Sequence, residues 1–350
     1  PTRRSSDLLG TQIGKIRERF GLERVVVVGD RGMLTDARIN EEIKCVEGLH
    51  WITALRAPAI QELVKRGSLQ LSLFDEQDLA EITSPEYPGE RLIVCRNPLL
   101  ATDRRRTREE LLQATEQELG KITAAVSRET RPLRGKEKIG LRVGKIINRY
   151  KMSKHFLLTI SDDSFQYARD TEKIAEEARL DGFYVIRTSV PKETLTAAET
   201  VAAYKGLSRV ERAFRSMKTV DLQVRPIYHH LSERVRAHVF LCMLAYYVEW
   251  HMRKALAPIL FQDDDPAAGQ AVRGSVVAPA VRSLKARRKA ATKRTEEGFP
   301  VLNFRGVFDF LATIVNNTMQ PRIPGAPSFR KMTTPNRYQQ HILDLLGVRL

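Results

Sequence analysis

The sequence predicts an α/β fold, in which helices pack against a central sheet. An unbroken run of β-branched residues, Val25–Val28, is typical of a strand that is buried on both faces. A helical pattern over 11–20 precedes this run, and Gly21 ends that helix. A second helix over about 35–47 and a second apolar strand over 50–55 follow. Alternating helices and buried strands are the signature of an α/β layer fold.

The segment 56–182 has a different character from the residues before it. Short apolar runs predict strands at 69–74, 91–95 and 155–160, and one long helix is predicted over 107–122. We therefore interpret this segment as a β-rich insertion that interrupts the α/β core.

The core pattern returns after this insertion. Residues 183–187 predict a third core strand, the chain is helical from Leu195, and a long apolar helix is predicted over 232–256. The predicted domain plan has a first core part, the insertion, a helical second core part and a basic C-terminal extension, in the order 9–55, 56–182, 183–260 and 261–350.

The chain is strongly basic. Its 350 residues carry 58 Lys and Arg against 42 Asp and Glu, a formal net charge of +16. Such an excess favours a polyanionic partner, because each neutralised phosphate releases counterions. Nucleic acid is therefore the favoured partner, although ribosomal, membrane-surface and simply basic soluble proteins share this property.

The cysteines and the apolar runs favour a cytoplasmic location. Cys45, Cys95 and Cys242 lie far apart and form no CxxC pair, so neither a disulfide framework nor a zinc site is predicted. The longest apolar run, 239–248, is too short to cross a membrane and predicts a buried helix.

The first eight residues, P-T-R-R-S-S-D-L, resemble the in-frame translation of a DNA-sequencing adapter end. We expect 1–8 to be an adapter-derived artefact rather than a polar tail, and to take no part in the fold. On that interpretation the gene was truncated on its 5′ side.

Asp30 is the first candidate catalytic residue. It comes shortly after the Val25–Val28 run and is followed by Arg31 and Gly32. Open α/β sheets present catalytic groups at the carboxyl ends of their strands. The same position also suits a turn aspartate or the N-cap of the next helix, so Asp30 alone leaves both interpretations open.

Glu211 is the second candidate, and it belongs to a repeating pattern. Tyr204, Glu211 and Lys218 recur every seven residues, which is two helical turns, so they are predicted to share one helix face. Arg215, four residues after Glu211, is also placed to meet it. A solvated charged face on an amphipathic helix would give the same pattern.

These residues resemble the insertion-sequence DDE transposases. The run Val-Val-Val-Val-Gly-Asp30-Arg-Gly is similar to the strand that carries the second aspartate of that family. Tyr204, Glu211 and Lys218 match the spacing of the family's Y-R-E-K signature, whose glutamate is the third catalytic acid. The resemblance covers about 11–345.

The resemblance implies a fold, an activity and partners. The fold is an RNase H-like core, incomplete at its N-terminus, with a β-rich insertion typical of the hairpin-forming branch and a helical C-terminal part. The activity is DNA cleavage and strand transfer in cut-and-paste transposition, with Asp30 and Glu211 as catalytic and metal-holding acids. In the intact enzyme three carboxylates hold two divalent ions, Mg²⁺ or Mn²⁺. The implied partners are double-stranded DNA, as transposon ends and target, and a second copy of the chain in the DNA complex.

Two features depart from the family pattern. The arginine of the signature is Leu207 here, so its interaction with DNA is absent or moves to Arg209 or Lys205. The first catalytic aspartate belongs on a strand upstream of the first helix, and Asp7 lies in the suspected adapter. We therefore expect an inactive fragment that carries two of the three acids.

The predicted DNA-binding residues fall into two groups. Near the predicted cut they are Tyr204, Arg209, Arg215 and Lys218. In the insertion, residues 131–154 carry nine Lys or Arg against a single acid, and the predicted DNA-binding residues there are Lys145, Arg149 and Lys151.

Two rival functions stay open. One is a non-enzymatic DNA-binding remnant of a transposase, which a complete first-aspartate strand in the intact gene would argue against. The other is an aspartate-phosphorylated or nucleotide-binding α/β protein that uses Asp30 alone. That rival predicts a Glu211 far from Asp30.

Overall fold

A computed structural model describes residues 6–75, 77–220, 222 and 224–350, with the backbone alone for 6–9, 219 and 220. The chain divides into two units, of which the first ends at Lys205 and the second begins at Gly206. Each unit is described by itself. Residues 1–5 of the predicted adapter segment lie outside the described residues, whereas its residues 6–8 begin the first helix, which departs from the expectation that the segment takes no part in the fold.

The first unit opens with the helix and strand order that the sequence predicts. In chain order it contains α1 (Ser6–Phe20), β1 (Val25–Val28), α2 (Asp36–Arg38), a π-helical turn (Ile39–Ile43) and β2 (Leu49–Ala54). The predicted helix over 35–47 is thus a short α-helix, capped by the Thr35 side chain and continued as a π turn.

The predicted insertion and the rest of the first unit follow. They contain α3 (Ala57–Lys65), a 3-10 turn (Leu71–Phe74), β3 (Leu79–Ile82), β4 (Arg91–Arg96), α4 (Pro98–Val126), α5 (Lys136–Tyr150), a second 3-10 turn (Ser153–His155), β5 (Phe156–Ile160), β6 (Phe165–Arg169), α6 (Thr171–Ala178), β7 (Phe183–Thr188) and α7 (Ala197–Lys205).

Five strands form one mixed sheet in the order β1-β2-β7-β4-β3. β1 and β2 are parallel, and the other neighbours are antiparallel. Because β7 runs opposite to both β2 and β4, the carboxyl ends of β1, β2 and β4 lie at the same edge of the sheet. β7 is the third core strand that the sequence predicts.

One face of this sheet carries most of the core. Residues of β2, β4 and β7 on that face pack with α1, the π turn, α3 and the first 3-10 turn in two clusters. The opposite face buries Ile52, Ile93 and Ile186, and α7 lies against β2 and β3. The sheet is therefore covered by helices on both faces.

β1 departs from the expectation of a fully buried strand. Among the described residues β1 pairs with β2 alone, so it is an edge strand. None of its four valines is fully buried. Val25 and Val27 pack against the core on the covered face, whereas Val26 is 37% exposed. A β-branched run signals a strand, but it does not specify how many neighbours the strand has.

The segment 56–182 holds more helix than strand, which departs from the β-rich composition expected. Two of its strands, β3 and β4, belong to the main sheet, and 69–74 forms a 3-10 turn rather than a strand. α4, α5 and the β5–β6 hairpin share a separate core. α5 buries Ile139, Val143 and Ile147, and this four-residue spacing is a helical signal that the high basic content obscured.

The second unit is mostly helical. It contains α8 (Leu207–Arg215), a π-helical turn (Ser216–Val220), α9 (Ser232–Ala255), a 3-10 turn (Ala257–Ile259), α10 (Pro266–Ala271), α11 (Leu284–Thr292), α12 (Phe304–Leu311), β8 (Asn316–Met319), β9 (Phe329–Met332) and α13 (Arg337–Leu346). The 3-10 turn, α12 and α13 share a core that includes Leu256, Ile259, Val307 and Ile342. The C-terminal extension is therefore a packed structure.

α9 has the bounds predicted for the long apolar helix but not its burial. No residue of α9 is buried, and Phe240, Leu241 and Leu244 are all about half exposed or more. The apolar run correctly predicted a helix, but it carries no information about whether other residues cover that helix. None of the described helices is long and apolar enough to cross a membrane.

Candidate active site

Asp30 lies in a tight turn directly after β1. Its Oδ1 atom accepts hydrogen bonds from the backbone N–H groups of Gly32 (2.9 Å) and Met33 (2.6 Å). The side chain is exposed, and the structure gives Oδ2 no hydrogen bond to a described residue. Asp30 is therefore a turn aspartate that uses one carboxylate oxygen for the turn and presents the other for a further interaction.

Gly29 allows this turn to close against the core. A Cβ built at residue 29 would lie 2.9 Å from Cγ of Leu34, closer than real Cβ contacts. Leu34 is buried in a cluster with Ile39 and Trp51. The backbone N–H of Gly29 also donates to the carbonyl oxygen of Ile52 at 3.1 Å. The glycine thus anchors the backbone immediately before Asp30.

Asp30 lines a cleft of about 940 Å³ at the carboxyl edge of the sheet. Tyr204, near the end of α7, lines the same cleft, and α4 contributes Arg104 and Arg108 to its wall. All of these residues belong to the first unit. Asp30 and Tyr204, two residues that the sequence predicted for the site, therefore line one cleft, and their joint role stays a prediction.

Two other acids of the cleft wall are held in ion pairs. Arg108 binds Asp181 through both terminal nitrogens, with Nη1 and Oδ1 3.1 Å apart. Glu177 contacts Nζ of Lys154 at 2.5 Å and Nε2 of the buried His155 at 2.8 Å. Burial acts to raise the pKa of Glu177, but the hydrogen bonds from Lys154 and His155 outweigh it, so the pKa is lowered.

The carboxylate of Asp30 has the chemistry of a ligand for a divalent cation. Hard cations prefer carboxylate oxygens, and no salt bridge joins Asp30 to a described cation. One carboxylate does not make a metal site, however. In the described parts of the chain, no three His, Cys, Asp or Glu side chains cluster closely enough to hold a metal ion. A site at Asp30 needs a further acid, and Glu211 is the predicted one.

Glu211 and Lys218 belong to the second unit. Glu211 is exposed on α8, as are Arg209 and Arg215. Lys218 lies on the π-helical turn that follows, with Nζ 5.5 Å from the ring centroid of Phe214. Tyr204 lies on α7, Glu211 on α8 and Lys218 on this turn, so the three residues do not share the single uninterrupted α-helix that the seven-residue spacing predicted. The proximity of Asp30 and Glu211 stays a prediction.

The predicted DNA-binding residues of the basic run lie on and after α5. Lys145 and Arg149 are exposed on the side of α5 opposite to its buried residues, and Lys151 caps the helix in a left-handed conformation, with a φ of 56°. Lys138 and Arg142 are exposed on the same side of the helix, although the sequence pattern did not distinguish them from the other cations of the run.

Arg104 and Arg108 of the cleft wall were also missed. Nη1 of Arg104 donates to the carbonyl oxygens of Leu180 (3.3 Å) and Phe183 (3.1 Å). These hydrogen bonds join α4 to the residues around the start of β7. Nothing in the sequence marks them, because they depend on how α4 lies against a segment more than seventy residues away.

The chain was compared with protein families, curated proteins and solved structures. A family model described as the transposase DDE domain matches residues 5–248. No curated protein matches the chain, and no solved structure matches it. The family match covers more than half of the chain and includes Asp30, Tyr204, Glu211 and Lys218. The chain therefore belongs to the DDE transposase family of insertion sequences.

Proposed function

We propose that this chain provides Asp30 and Glu211 as catalytic, metal-holding acids for DNA cleavage and strand transfer in cut-and-paste transposition. The observation that carries the proposal is the position of Asp30, whose exposed carboxylate lines the same large cleft as Tyr204. The fold we propose is an RNase H-like core around the five-stranded sheet. A second copy of the chain joins it in the DNA complex.

The proposed chemistry assigns a separate task to each residue. Divalent ions, Mg²⁺ or Mn²⁺, would supply activation of the attacking hydroxyl and stabilisation of the leaving oxygen. The turn N–H groups fix one carboxylate oxygen of Asp30, and the other oxygen would bind the metal ion. Glu211 supplies the second carboxylate. Tyr204 donates a hydrogen bond to a DNA phosphate, and Arg209, Arg215 and Lys218 bind further phosphates near the cut.

The rest of the DNA lies, in this proposal, along the exposed side of α5. Lys145 and Arg149 face solvent on that helix, and Lys151 follows it. Cations on one exposed helix face can follow the phosphates of a duplex without reading its sequence. This surface would therefore contribute affinity rather than specificity.

Two of the three family acids are assigned in this sequence, so we expect weak metal binding and little cleavage of labelled duplex DNA by the 350-residue chain. A test of the site must therefore not depend on turnover. With Fe²⁺, ascorbate and peroxide, a bound metal ion generates radicals that cut the polypeptide beside its ligands. We expect cuts near residue 30 and near residue 211.

The decisive variant is Asp30→Asn, which removes one ligand charge at little change in size. If both acids share the metal, this change suppresses the cut near residue 211 as well as the cut near residue 30. Asp103→Asn is the control, because Asp103 is another acid of the same cleft wall. Survival of the cut near residue 211 in Asp30→Asn would show that the two acids do not share a metal ion. Absence of both cuts in the wild type, combined with DNA binding, would favour the non-enzymatic remnant.

A further inference from the structure

β8 and β9 form a two-stranded antiparallel ribbon whose eight residues are all exposed. A two-stranded hairpin is marginally stable by itself, because it buries little apolar surface. The ribbon lies beyond residue 248, where the match to the transposase domain ends. Its exposure on both faces suits an element that binds a partner.

The charge around the ribbon indicates the kind of partner. From residue 310 to residue 343 the chain has no Asp or Glu and four Lys or Arg. Three of these cations belong to the ribbon and its connecting loop, and no salt bridge joins them to a described acid. They are Arg322, Arg330 and Lys331. A local excess of cations without counter-ions complements a polyanion.

The pairing of the two strands separates their side chains into two faces. Asn316 lies opposite Met332, and Thr318 lies opposite Arg330, so these four residues share one face. The other face carries Asn317, Met319, Phe329 and Lys331. The first face thus presents an amide, a hydroxyl and a guanidinium close together. These groups form hydrogen bonds with base edges, asparagine typically with adenine and arginine with guanine.

We propose that the β8–β9 ribbon enters the major groove of DNA with Asn316, Thr318 and Arg330 toward the bases. Paired strands lie about 4.8 Å apart, and the major groove, about 12 Å wide, admits a two-stranded ribbon. Lys331 on the other face and Arg322 in the loop are then left for phosphates. The proposal rests on DNA as the partner of the proposed function, but it is independent of Asp30 and Glu211.

The test compares two double variants of the full chain. Asn316→Ala with Arg330→Gln, the base-face variant, removes the amide of Asn316 and the charge of Arg330 from the proposed base-reading face. Asn317→Ala with Lys331→Gln, the opposite-face variant, removes one amide and one positive charge from the opposite face. Each protein is used to select duplexes from a pool with a randomised centre, and its affinity for the wild-type-enriched duplex is measured by fluorescence anisotropy.

We expect the wild type to enrich a motif whose binding is blocked by methylation of guanine N7, an atom of the major groove. The base-face variant loses the motif and about tenfold in affinity for the enriched duplex. The opposite-face variant keeps the motif. It loses affinity mainly in the salt-dependent, phosphate-binding part. All substituted side chains are exposed, so unchanged thermal unfolding is expected for both variants.

Several results would overturn the proposal. One is a wild type that binds duplexes without enriching any motif. Another is a base-face variant that keeps the motif, and a third is an equal loss of duplex affinity in the two variants. A fall in oligomeric mass on substituting the opposite face, with DNA binding unchanged, would assign the ribbon to a second copy of the chain. A wild type that binds no duplex would overturn the proposed function as well. Enrichment of the same motif by Asp30→Asn is expected even if that acid has no catalytic role.

Discussion

Tyr204 and Asp30 line the same cleft, although they lie far apart in the sequence. Tyr204 lies near the end of α7, and Asp30 follows β1. Arg91 on β4 stabilises the segment that leads into the helix of Tyr204. Its Nη1 atom donates to the carbonyl oxygens of Val190 (2.8 Å) and Leu195 (2.9 Å). Glu81 on β3 holds the same guanidinium through two hydrogen bonds of 2.8 Å.

The Glu81–Arg91 pair should make a pH-dependent contribution to stability. The hydrogen bond from Arg91 lowers the pKa of Glu81, against the effect of burial. A lowered carboxylate pKa stabilises the fold fully above the usual value of 4.5 and loses this effect as the pH falls through the lowered pKa. We expect Glu81→Gln to cost about 1–2 kcal/mol of unfolding free energy at pH 7.

Urea unfolding at several pH values measures this difference between wild type and variant. The difference should begin to shrink below pH 4.5, where the glutamate of the unfolded chain takes up a proton, and should be lost as the pH falls through the lowered pKa of the folded protein. Glu129→Gln is the matched control, since Glu129 is exposed and has no salt bridge to a described cation. A difference that stayed constant down to pH 3 would mean that Glu81 acts through packing rather than charge.

Asp30 and Glu211 should lie within cross-linking distance of each other. Two acids that share a pair of metal ions about 4 Å apart have carboxylates within roughly 12 Å. We expect Asp30→Cys with Glu211→Cys to react with a short bis-maleimide and give a faster-migrating band on denaturing gels. The background is a chain with its three native cysteines, all free, replaced by serine.

The control for this cross-link pairs Asp30→Cys with Arg212→Cys. Residue 212 is the next residue along α8, and one residue corresponds to about 100° of rotation around a helix. A shared active site therefore requires a strong preference for position 211 over position 212. Equal yields at the two positions would reflect general flexibility, and absence of a cross-link at 211 would contradict the active-site assignment.

The sequence predicted the order of the core elements more successfully than their surroundings. The Val25–Val28 run and the strand after the insertion were recognisable, because β-branched and apolar runs report local backbone preference. The same run did not reveal that β1 lies at an edge, since the number of neighbours is set by pairing with distant residues. α5 was missed because its three buried residues are outnumbered by exposed cations.

The candidate site shows the same limit. The sequence predicted Asp30 from its place after a strand, and the structure places it in a turn that lines the cleft. The spacing of Tyr204 to Glu211 predicted one continuous helix, whereas the two residues lie on α7 and α8. Arg104 lines the cleft and donates hydrogen bonds to the carbonyl oxygens of Leu180 and Phe183. No local sequence pattern encodes these bonds. A local pattern can therefore propose single candidate residues, whereas the residues that surround them depend on tertiary packing.

The exposed side of α5 should supply a salt-dependent part of DNA affinity. We expect reversal of Lys145, Arg149 and Lys151 to Glu to weaken binding to a duplex and to flatten its salt dependence. Each cation that no longer neutralises a phosphate reduces the slope of log K against log salt by about 0.9. Loss of three such cations should therefore reduce the slope by roughly 2–3. Anisotropy titrations at several salt concentrations measure this slope.

The control makes the same change of charge at cations that already have acidic partners. Arg66, Arg106 and Lys121 are exposed but form salt bridges with neighbouring acids. Their reversal to Glu should change the slope less, because these cations have less charge available for phosphates. An unchanged slope in the α5 variant would exclude this helix from the DNA track.

The edge position of β1 should make the chain prone to aggregation. An edge strand presents unpaired backbone groups, and a run of four valines offers an apolar surface beside them. We expect Val26→Lys to raise the soluble yield and lower light scattering on heating, because Val26 is 37% exposed and a charge there opposes edge-to-edge pairing.

Val27→Lys is the control, since Val27 packs against the buried cluster around Trp51. It should destabilise the fold and lower the yield, because burying an unpaired charge is costly. If Val26→Lys lowered the yield as much as Val27→Lys, both faces of β1 would be covered and the exposed edge would not cause the aggregation.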